Sequence, residues 1–467
     1  MMQKILLINP PLYFSEGMPK SLDVTVPPLG LLYLASYVNK YSDKFRAEII
    51  DVGAEQFSLN DIGRKILSVK PFAIGISSMT PQLQGALELT KYIRLHFKKR
   101  IKIFLGGPHI SADPDFINRH PGLFDYVITG EAEKTFLDAL NKLLDGQKIS
   151  ALQAGEVIMN LDEIPFPDKT LIKRNKYNKA ESMLFSRGCP YKCYYCSRPS
   201  ISKIIRYRSV ENLIAEIKLC LEYCGGNINF QDDTFTMDRK KILDFCGAVE
   251  KESLILNWEC NTRIDLADDE LLKIMKKAGC SRINFGVESG NEELRRKVIN
   301  KGLFTNERIK KVFKSCRKYG IGIACYFMIG HPMETKSMIQ ETKNMILNYN
   351  IDVLGLSIPL PFPGSSLYDI ARNEGIINEE IIDQFAEKKL GEGYAGIYPV
   401  YISKELPIEY VFQEMKDINR KFYINFKTFW NRFGQDARSI KKLKGDVLDL
   451  VSLIMIGAST RKPYIEK

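Results

Sequence analysis

No apolar run in this sequence approaches the ~20 residues that a membrane-spanning helix needs. The most apolar late stretch, residues 447–458, is broken by Asp449. At the start, Ile5-Leu6-Leu7-Ile8 is cut short by Asn9-Pro10-Pro11, too early for the apolar part of a signal peptide. These absences predict a cytoplasmic chain without a transmembrane helix. Internal repeats and low-complexity tracts are also missing, which excludes a solenoid. Charge of one sign does not dominate either: 67 basic against 56 acidic residues leave +11 over 467 residues. That favours anionic partners only mildly. With no recognisable RNA-binding appendage, a nucleic-acid partner is not expected.

What is present is enough apolar sequence, 45%, beside 26% charged residues, for a folded globular protein. The length favours two or three cores. Over residues 1–148, short β-rich runs at 4–8, 47–51, 73–77, 101–105 and 125–129 alternate with helical patterns at 29–39, 61–69, 82–99 and 133–144. Such alternation predicts an α/β, doubly wound parallel sheet, which binds ligands at the carboxyl ends of its strands. Residues 149–179, with Pro165 and Pro167 and no sustained period, read as a linker. A second βα series follows over 180–375, with strands expected at 183–186, 227–231, 254–261, 282–288, 321–329 and 353–358. Ser209, Asp238, Asp268 and Thr305 stand where helix caps belong, and right-handed crossovers would wind the series into a curved sheet or partial barrel. After Pro363-Gly364 the pattern becomes helical, so 376–467 reads as a mainly helical C-terminal region.

Ten cysteines without an export signal point to metal or redox chemistry rather than disulfides. Cys189, Cys193 and Cys196 lie in one loop after a predicted strand, spaced Cys-x₃-Cys-x₂-Cys. Three thiolates are one short of the usual four for a 4Fe–4S cubane; if such a cluster forms here, one iron is left open to a chelating ligand, such as the amine and carboxylate of S-adenosylmethionine (SAM). The alternative is a structural zinc site, which normally needs a fourth ligand. No second Cys-x₂-Cys pair exists, and Cys220 and Cys224 sit on the packing stripe of a helix.

This spacing, with Tyr195 before the third cysteine, resembles the radical SAM superfamily, and the resemblance extends over about 183–368. It implies a partial (β/α)₆ barrel holding a 4Fe–4S cluster on Cys189, Cys193 and Cys196. It further implies that Tyr195 touches the SAM adenine, Asp232 and Asp233 meet its amine, Arg263 its carboxylate and Glu288 its ribose, while Gly330 in Met328-Ile329-Gly330-His331-Pro332 lets the ligand approach closely. Read alone, the two aspartates are equally well caps or turn residues, Arg263 a surface ion pair and Glu288 a helix-capping acid.

The amino-terminal loops Asn9-Pro10-Pro11, Pro27-Pro28-Leu29-Gly30, Ser77-Ser78-Met79-Thr80, Gly106-Gly107-Pro108-His109 and Gly130-Glu131-Ala132-Glu133 resemble those of cobalamin-binding domains attached to such barrels. The resemblance places Ser77, Ser78, Gly106 and Gly107 along the nucleotide tail. The pattern Asp-x-His-x-x-Gly is missing from the loop after the first strand, so the corrinoid would lack a protein histidine ligand. His109 reads better as a hydrogen-bonded loop histidine.

The resemblance implies a cobalamin-dependent methyltransferase acting on an unactivated carbon, or on phosphorus, of a small-molecule or lipid substrate. Its electron donor would be a flavodoxin or ferredoxin. Two other readings stay open: a cobalamin-domain enzyme that forms or rearranges carbon–carbon bonds, and a non-catalytic metal-stabilised binding protein. The basic aromatic stretch with Lys421, Phe422, Tyr423, Phe426, Lys427, Phe429, Trp430 and Arg432 admits peripheral membrane contact, though a packing helix is the favoured reading. No catalytic hydrogen donor is identified. Cys260, Cys325 and Tyr394 have the chemistry, but the two cysteines suit core packing better.

Overall fold

The computed structural model describes residues 2–12, 14, 26–177, 180–302, 304–387 and 398–424. The first sheet comprises β1 (Gln3–Asn9), β2 (Phe45–Asp51), β3 (Ala73–Ser77), β4 (Lys102–Gly106), β5 (Tyr126–Thr129) and β6 (Leu152–Ala154), all parallel in the order β2-β1-β3-β4-β5-β6. Ile5, Leu6, Leu7 and Ile8 are fully buried, as a parallel strand covered on both faces requires. The chain leaves β1 for β2 on one side and returns to β3 on the other. The crevice this reversal opens lies at the carboxyl ends of β1 and β3. Leu152–Ala154 falls within the stretch read as a linker; three residues with exposed ends carry no period from which a strand can be read.

The second sheet comprises β7 (Glu181–Met183), β10 (Asn227–Phe230), β11 (Asn257–Thr262), β12 (Cys280–Glu288), β13 (Gly322–Met328) and β14 (Val353–Ser357), parallel and ordered β14-β13-β12-β11-β10-β7. This is an open barrel wall of six strands. A separate antiparallel pair, β8 (Ser186–Arg187) and β9 (Arg206–Tyr207), brackets the cysteine loop. Ser209, Asp238, Asp268 and Thr305 all cap helices as expected, accepting from the amides of Asn212, Lys241, Leu271 and Arg308. On β12, Ile283, Phe285 and Val287 join the apolar core beneath the helices, so Arg282, Asn284, Gly286 and Glu288 turn to the lumen.

Carboxyl ends of the two sheets meet. Arg187 and Arg206, on the hairpin that brackets the cysteines, both pair with Glu131 in the loop after β5. One apolar cluster runs from Ile8, Ile76 and Leu105 through Tyr194 and Ile299 to Leu367, Phe385 and Tyr401. Gln84 of the helix Leu83–Phe97 donates to the carbonyl of Phe385 at 3.0 Å.

Among the described residues no helix is long and apolar enough to cross a membrane. The helix Ile408–Ile424 packs on the barrel: Phe422 is buried, Tyr423 donates to the Leu354 carbonyl at 2.9 Å and Lys421 pairs with Asp417 at 2.8 Å. That part of the basic aromatic stretch is a packing helix. Phe426, Lys427, Phe429, Trp430 and Arg432, like Tyr394, lie outside the described residues.

Candidate metal and cofactor site

Gly188 follows β8 at φ +94°, where a Cβ would strike the Ile204 carbonyl, so only glycine turns the chain from the hairpin into the cysteine loop. All three cysteines are free; Cys193 is buried while Cys189 and Cys196 are partly open. The Cys196 amide donates to the Cys193 carbonyl at 3.0 Å. Thr234 places its hydroxyl 3.9 Å from the Cys189 sulfur, and the Arg198 amide lies 3.4 Å from that of Cys196. Burial pushes the Cys193 and Cys196 thiols up; Lys301 and Arg263 oppose it at Cys193, and the Arg198 amide opposes it at Cys196.

Among the described residues, no three His, Cys, Asp or Glu side chains converge as ligands of a single ion. A cubane makes no such demand, because each cysteine binds a different iron. Three free thiols in one loop, with the Arg198 N–H aimed at one sulfur, the Thr234 hydroxyl oxygen near another and two cations beside the third, fit a cluster of that kind.

The loop is gripped from the segment after β12. There a π-helical turn, Arg295–Ile299, ends at Asn300 with φ +55°. The Tyr194 amide donates to the Ile299 carbonyl at 3.3 Å, the Asn300 side chain to the Lys192 carbonyl at 3.0 Å, and Lys301 to the Tyr195 hydroxyl at 3.3 Å. Lys301 also binds Glu288 Oε1 at 2.9 Å, and the Tyr195 hydroxyl donates to the same oxygen at 2.7 Å. Burial works against the Lys301 charge, but Glu288 and Cys193 outweigh it and hold the ammonium above the usual lysine range. Lys301 escaped the sequence reading because Asn300-Lys301-Gly302 looks like an ordinary helix end.

Arg263 lies against Tyr191, its guanidinium carbon 3.7 Å from the ring centre. Its Nε is 3.0 Å from Asp265 and its Nη2 donates to the Lys301 carbonyl, whereas Nη1 is buried without a hydrogen-bond partner. Such an orphaned donor suits an incoming carboxylate. The two aspartates separate. Asp232 is fully buried and accepts from the Phe185 amide at 3.1 Å and from the Ser186 amide and hydroxyl at 2.5 Å each. Both of its oxygens serve the strand end that leads into the cysteine loop, so an ammonium ligand finds no free face there; burial raises its carboxyl to about 6. Asp233 is partly accessible, pairs with Arg198 at 2.9 Å and is raised by burial. Glu288 sits at φ +71°, in the left-handed region that is strained for any residue with a Cβ.

Gly330, at φ +98°, donates its amide to Glu334 Oε2 at 2.5 Å, and the His331 amide does the same at 3.0 Å. The His331 ring, fully buried, meets the Tyr194 hydroxyl at 2.6 Å through Nδ1. Burial lowers its pKa to about 4 and raises that of Glu334 to about 7. His331 and Glu334 lie in the run that the sequence reading singled out, but their link to Tyr194, 137 residues away, had no signature in the sequence.

In the first sheet, Gly107 at φ +101° lets two loops close on each other: a Cβ there would lie 2.7 Å from both the amide and the carbonyl of Ser78. Ser78 is buried, its hydroxyl donating to Met79 at 3.0 Å, while Ser77 and Gly106 stay partly open at the carboxyl edge. His109 turns inward, with Nδ1 3.0 Å from the Thr80 hydroxyl and Nε2 3.6 Å from Asp113. A corrinoid at this edge would meet small side chains and backbone; the buried His109 is held through Nδ1, while its Nε2 has no hydrogen-bond partner. Cys260 and Cys325 are core residues, their thiols pushed well up by burial.

Residues 183–346 match the Radical SAM superfamily, and residues 20–140 match the B12 binding domain. The uncharacterized methyltransferase PH0819 of Pyrococcus horikoshii is 31% identical over 444 residues, covering 91% of this chain and 92% of its own. The anaerobic magnesium-protoporphyrin IX monomethyl ester cyclase of Rubrivivax gelatinosus is 28% identical over 395 residues, covering 78% and 69%. The fold is similar to that of the radical SAM methyltransferase TsrM of Kitasatospora setae, solved with cobalamin and a 4Fe–4S cluster bound. The TM-score is 0.71 at 15% identity, over 90% of this chain and 91% of that one.

Proposed function

The chain belongs to the radical SAM superfamily and carries a B12-binding domain, and from that premise we propose that it is a cobalamin-dependent methyltransferase acting on a small molecule. The observation that carries the reading is the end-to-end meeting of the two sheets, which sets the corrinoid-type edge of the first against the cysteine loop of the second. Likeness to a methyltransferase over 91% of the chain supports it. When bound, the cluster and SAM supply a 5′-deoxyadenosyl radical and the corrinoid carries the methyl group.

The protein's own part is binding and orientation. Cys189, Cys193 and Cys196 hold three corners of the cluster. Arg263 Nη1, otherwise unpartnered, takes the SAM carboxylate, and Asp233 stands by to accept from the N–H of its amine in place of the fully engaged Asp232. Glu288 and Tyr195 frame the ribose and adenine, and Gly330 keeps that wall low. Ser77 and Gly106 lie along the nucleotide tail, with Gly107 and Ser78 shaping the loops behind them. An electron donor such as flavodoxin or ferredoxin and a cytoplasmic setting are parts of the same proposal.

The cyclase of Rubrivivax gelatinosus favours a second reading, in which the radical makes a carbon–carbon bond. Product analysis separates the two. Protein reconstituted without oxygen, with iron, sulfide and cobalamin, is given SAM, reductant and candidate substrates. Methyl transfer yields S-adenosylhomocysteine alongside 5′-deoxyadenosine. Turnover with 5′-deoxyadenosine alone sinks the methyltransferase reading, and a preparation that retains no corrinoid sinks the cofactor assignment.

A further inference from the structure

We propose that Lys301 and Glu288 form a buried, charge-balanced pair beside the cluster on Cys189, Cys193 and Cys196, in which each group offsets the other's effect on the cluster's reduction potential. The inference rests on the proposed cluster ligands and goes beyond them. Nothing in the family pattern read from the sequence points to position 301.

Three observations place the pair. Lys301 and Glu288 are joined at 2.9 Å with side chains only 9% and 7% exposed, so water screens neither charge well. Both bind the Tyr195 hydroxyl, between Cys193 and Cys196 in sequence. The segment bearing Lys301 also grips the loop backbone through Ile299 and Asn300, so the ammonium is fixed relative to the sulfurs rather than swinging on a free stem. A Cβ on Gly286 would lie 2.6 Å from both Lys301 Nζ and Glu288 Oε1, so the lumen face of β12 leaves just enough room for the pair.

The electrostatic consequence has a definite sign. In the reduction step one electron from a donor enters the cluster, taking it from the 2+ to the 1+ state and making the three-thiolate assembly more negative by one charge. A buried cation nearby favours the reduced state and a buried anion opposes it. In the native pair the two influences largely cancel. Removing one partner exposes the other, so the two single substitutions act in opposite directions.

The test is an anaerobic redox titration of the cluster, followed by electron paramagnetic resonance in the absence of SAM, with dithionite as the reductant and iron content measured in parallel. K301M is expected to lower the midpoint potential and E288Q to raise it. K301R, and the double variant K301M/E288Q, are expected to lie close to the wild type. A merely structural role would move both single variants the same way or leave both unmoved. Either result, with the cluster intact, overturns this inference alone. Should K301M fail to hold iron, E288Q and the double variant still decide: no rise in E288Q, or a double variant as displaced as E288Q, overturns it. A wild-type protein with no 4Fe–4S signal overturns the proposed function as well.

Discussion

Asp232 stands one residue before the acid assigned to the ligand, yet its work is structural. It draws three donors from Phe185 and Ser186 onto one carboxylate and so fixes the strand end from which the cysteine loop springs. Asp232→Asn keeps the shape but sets an NH₂ against at least one N–H. The expected loss is ~2 kcal/mol of stability, the cost of leaving a buried donor unmatched, together with reduced iron loading. Chemical denaturation and iron assay of the variant check this; wild-type stability would contradict the bracing role. Glu334 gives a pH prediction. Burial raises its carboxyl from 4.5 to about 7, against the amides of Gly330 and His331, so the folded state keeps a proton that the unfolded chain has lost. Its stabilising contribution is therefore full below about 4.5 and lost as pH rises through 7. His331, lowered from 6.5 to about 4, acts in the opposite sense as pH falls, so the wild type must be compared with Glu334→Gln. The wild-type advantage over that variant should shrink steadily across the window; a constant difference would refute the assignment. At this scale the cysteines and Arg263 could be singled out in the sequence because they stand in local patterns that resemble a family's. Lys301, and the link between His331 and Tyr194, could not, since they depend on partners brought in by the fold.

Strands and helices were legible wherever burial imposes a period. Ile5 to Ile8 announce a strand covered on both faces, and four of the predicted caps hold the helices they precede. Leu152–Ala154 was missed because an edge strand of three residues needs no apolar pattern, and the π-helical turn at Arg295–Ile299 because its grip on Tyr194 and Lys192 is tertiary. The loop elements carry a test of their own. Gly107 and Gly146 both have positive φ, +101° and +75°, but only Gly107 is crowded, by Ser77 and Ser78. Gly146→Ala should cost about 1 kcal/mol from backbone strain alone. Gly107→Ala should cost clearly more and also weaken corrinoid retention, read from the absorbance of the reconstituted protein after desalting. Equal effects of the two substitutions would mean that the closure of the loops after β3 and β4 is unimportant.

For the whole molecule, the argument turns on two sheets meeting at their ligand-binding ends, and Glu131 is the charged hinge of that meeting. It is buried and answers both Arg187 and Arg206, whereas Lys134–Glu156 nearby is an exposed pair with side chains 45% and 57% open. Glu131→Ala leaves the buried Arg206 without its carboxylate, while Arg187 keeps Glu133 at 2.8 Å, and should destabilise the protein by roughly 3 kcal/mol, with loss of iron from the adjacent loop. Lys134→Ala, on an exposed pair that water screens, should leave stability nearly unchanged. Similar effects from the two substitutions, in thermal unfolding and iron content, would mean that the junction does not support the cysteine loop. The relation between the sheets was beyond the sequence: each reads as its own βα series, and nothing local says that the loop after β5 faces the hairpin around the cysteines.

The measurement closest to the central claim is electron–nuclear double resonance on the reduced cluster of oxygen-free protein, with SAM labelled by ¹⁵N at its amine. The account predicts a nitrogen coupling from SAM bound at an iron that lacks a cysteine, present in the wild type and absent when Cys189, Cys193 and Cys196 are replaced by alanine. A cluster with no such coupling, or SAM cleavage that survives loss of the three thiols, would contradict it.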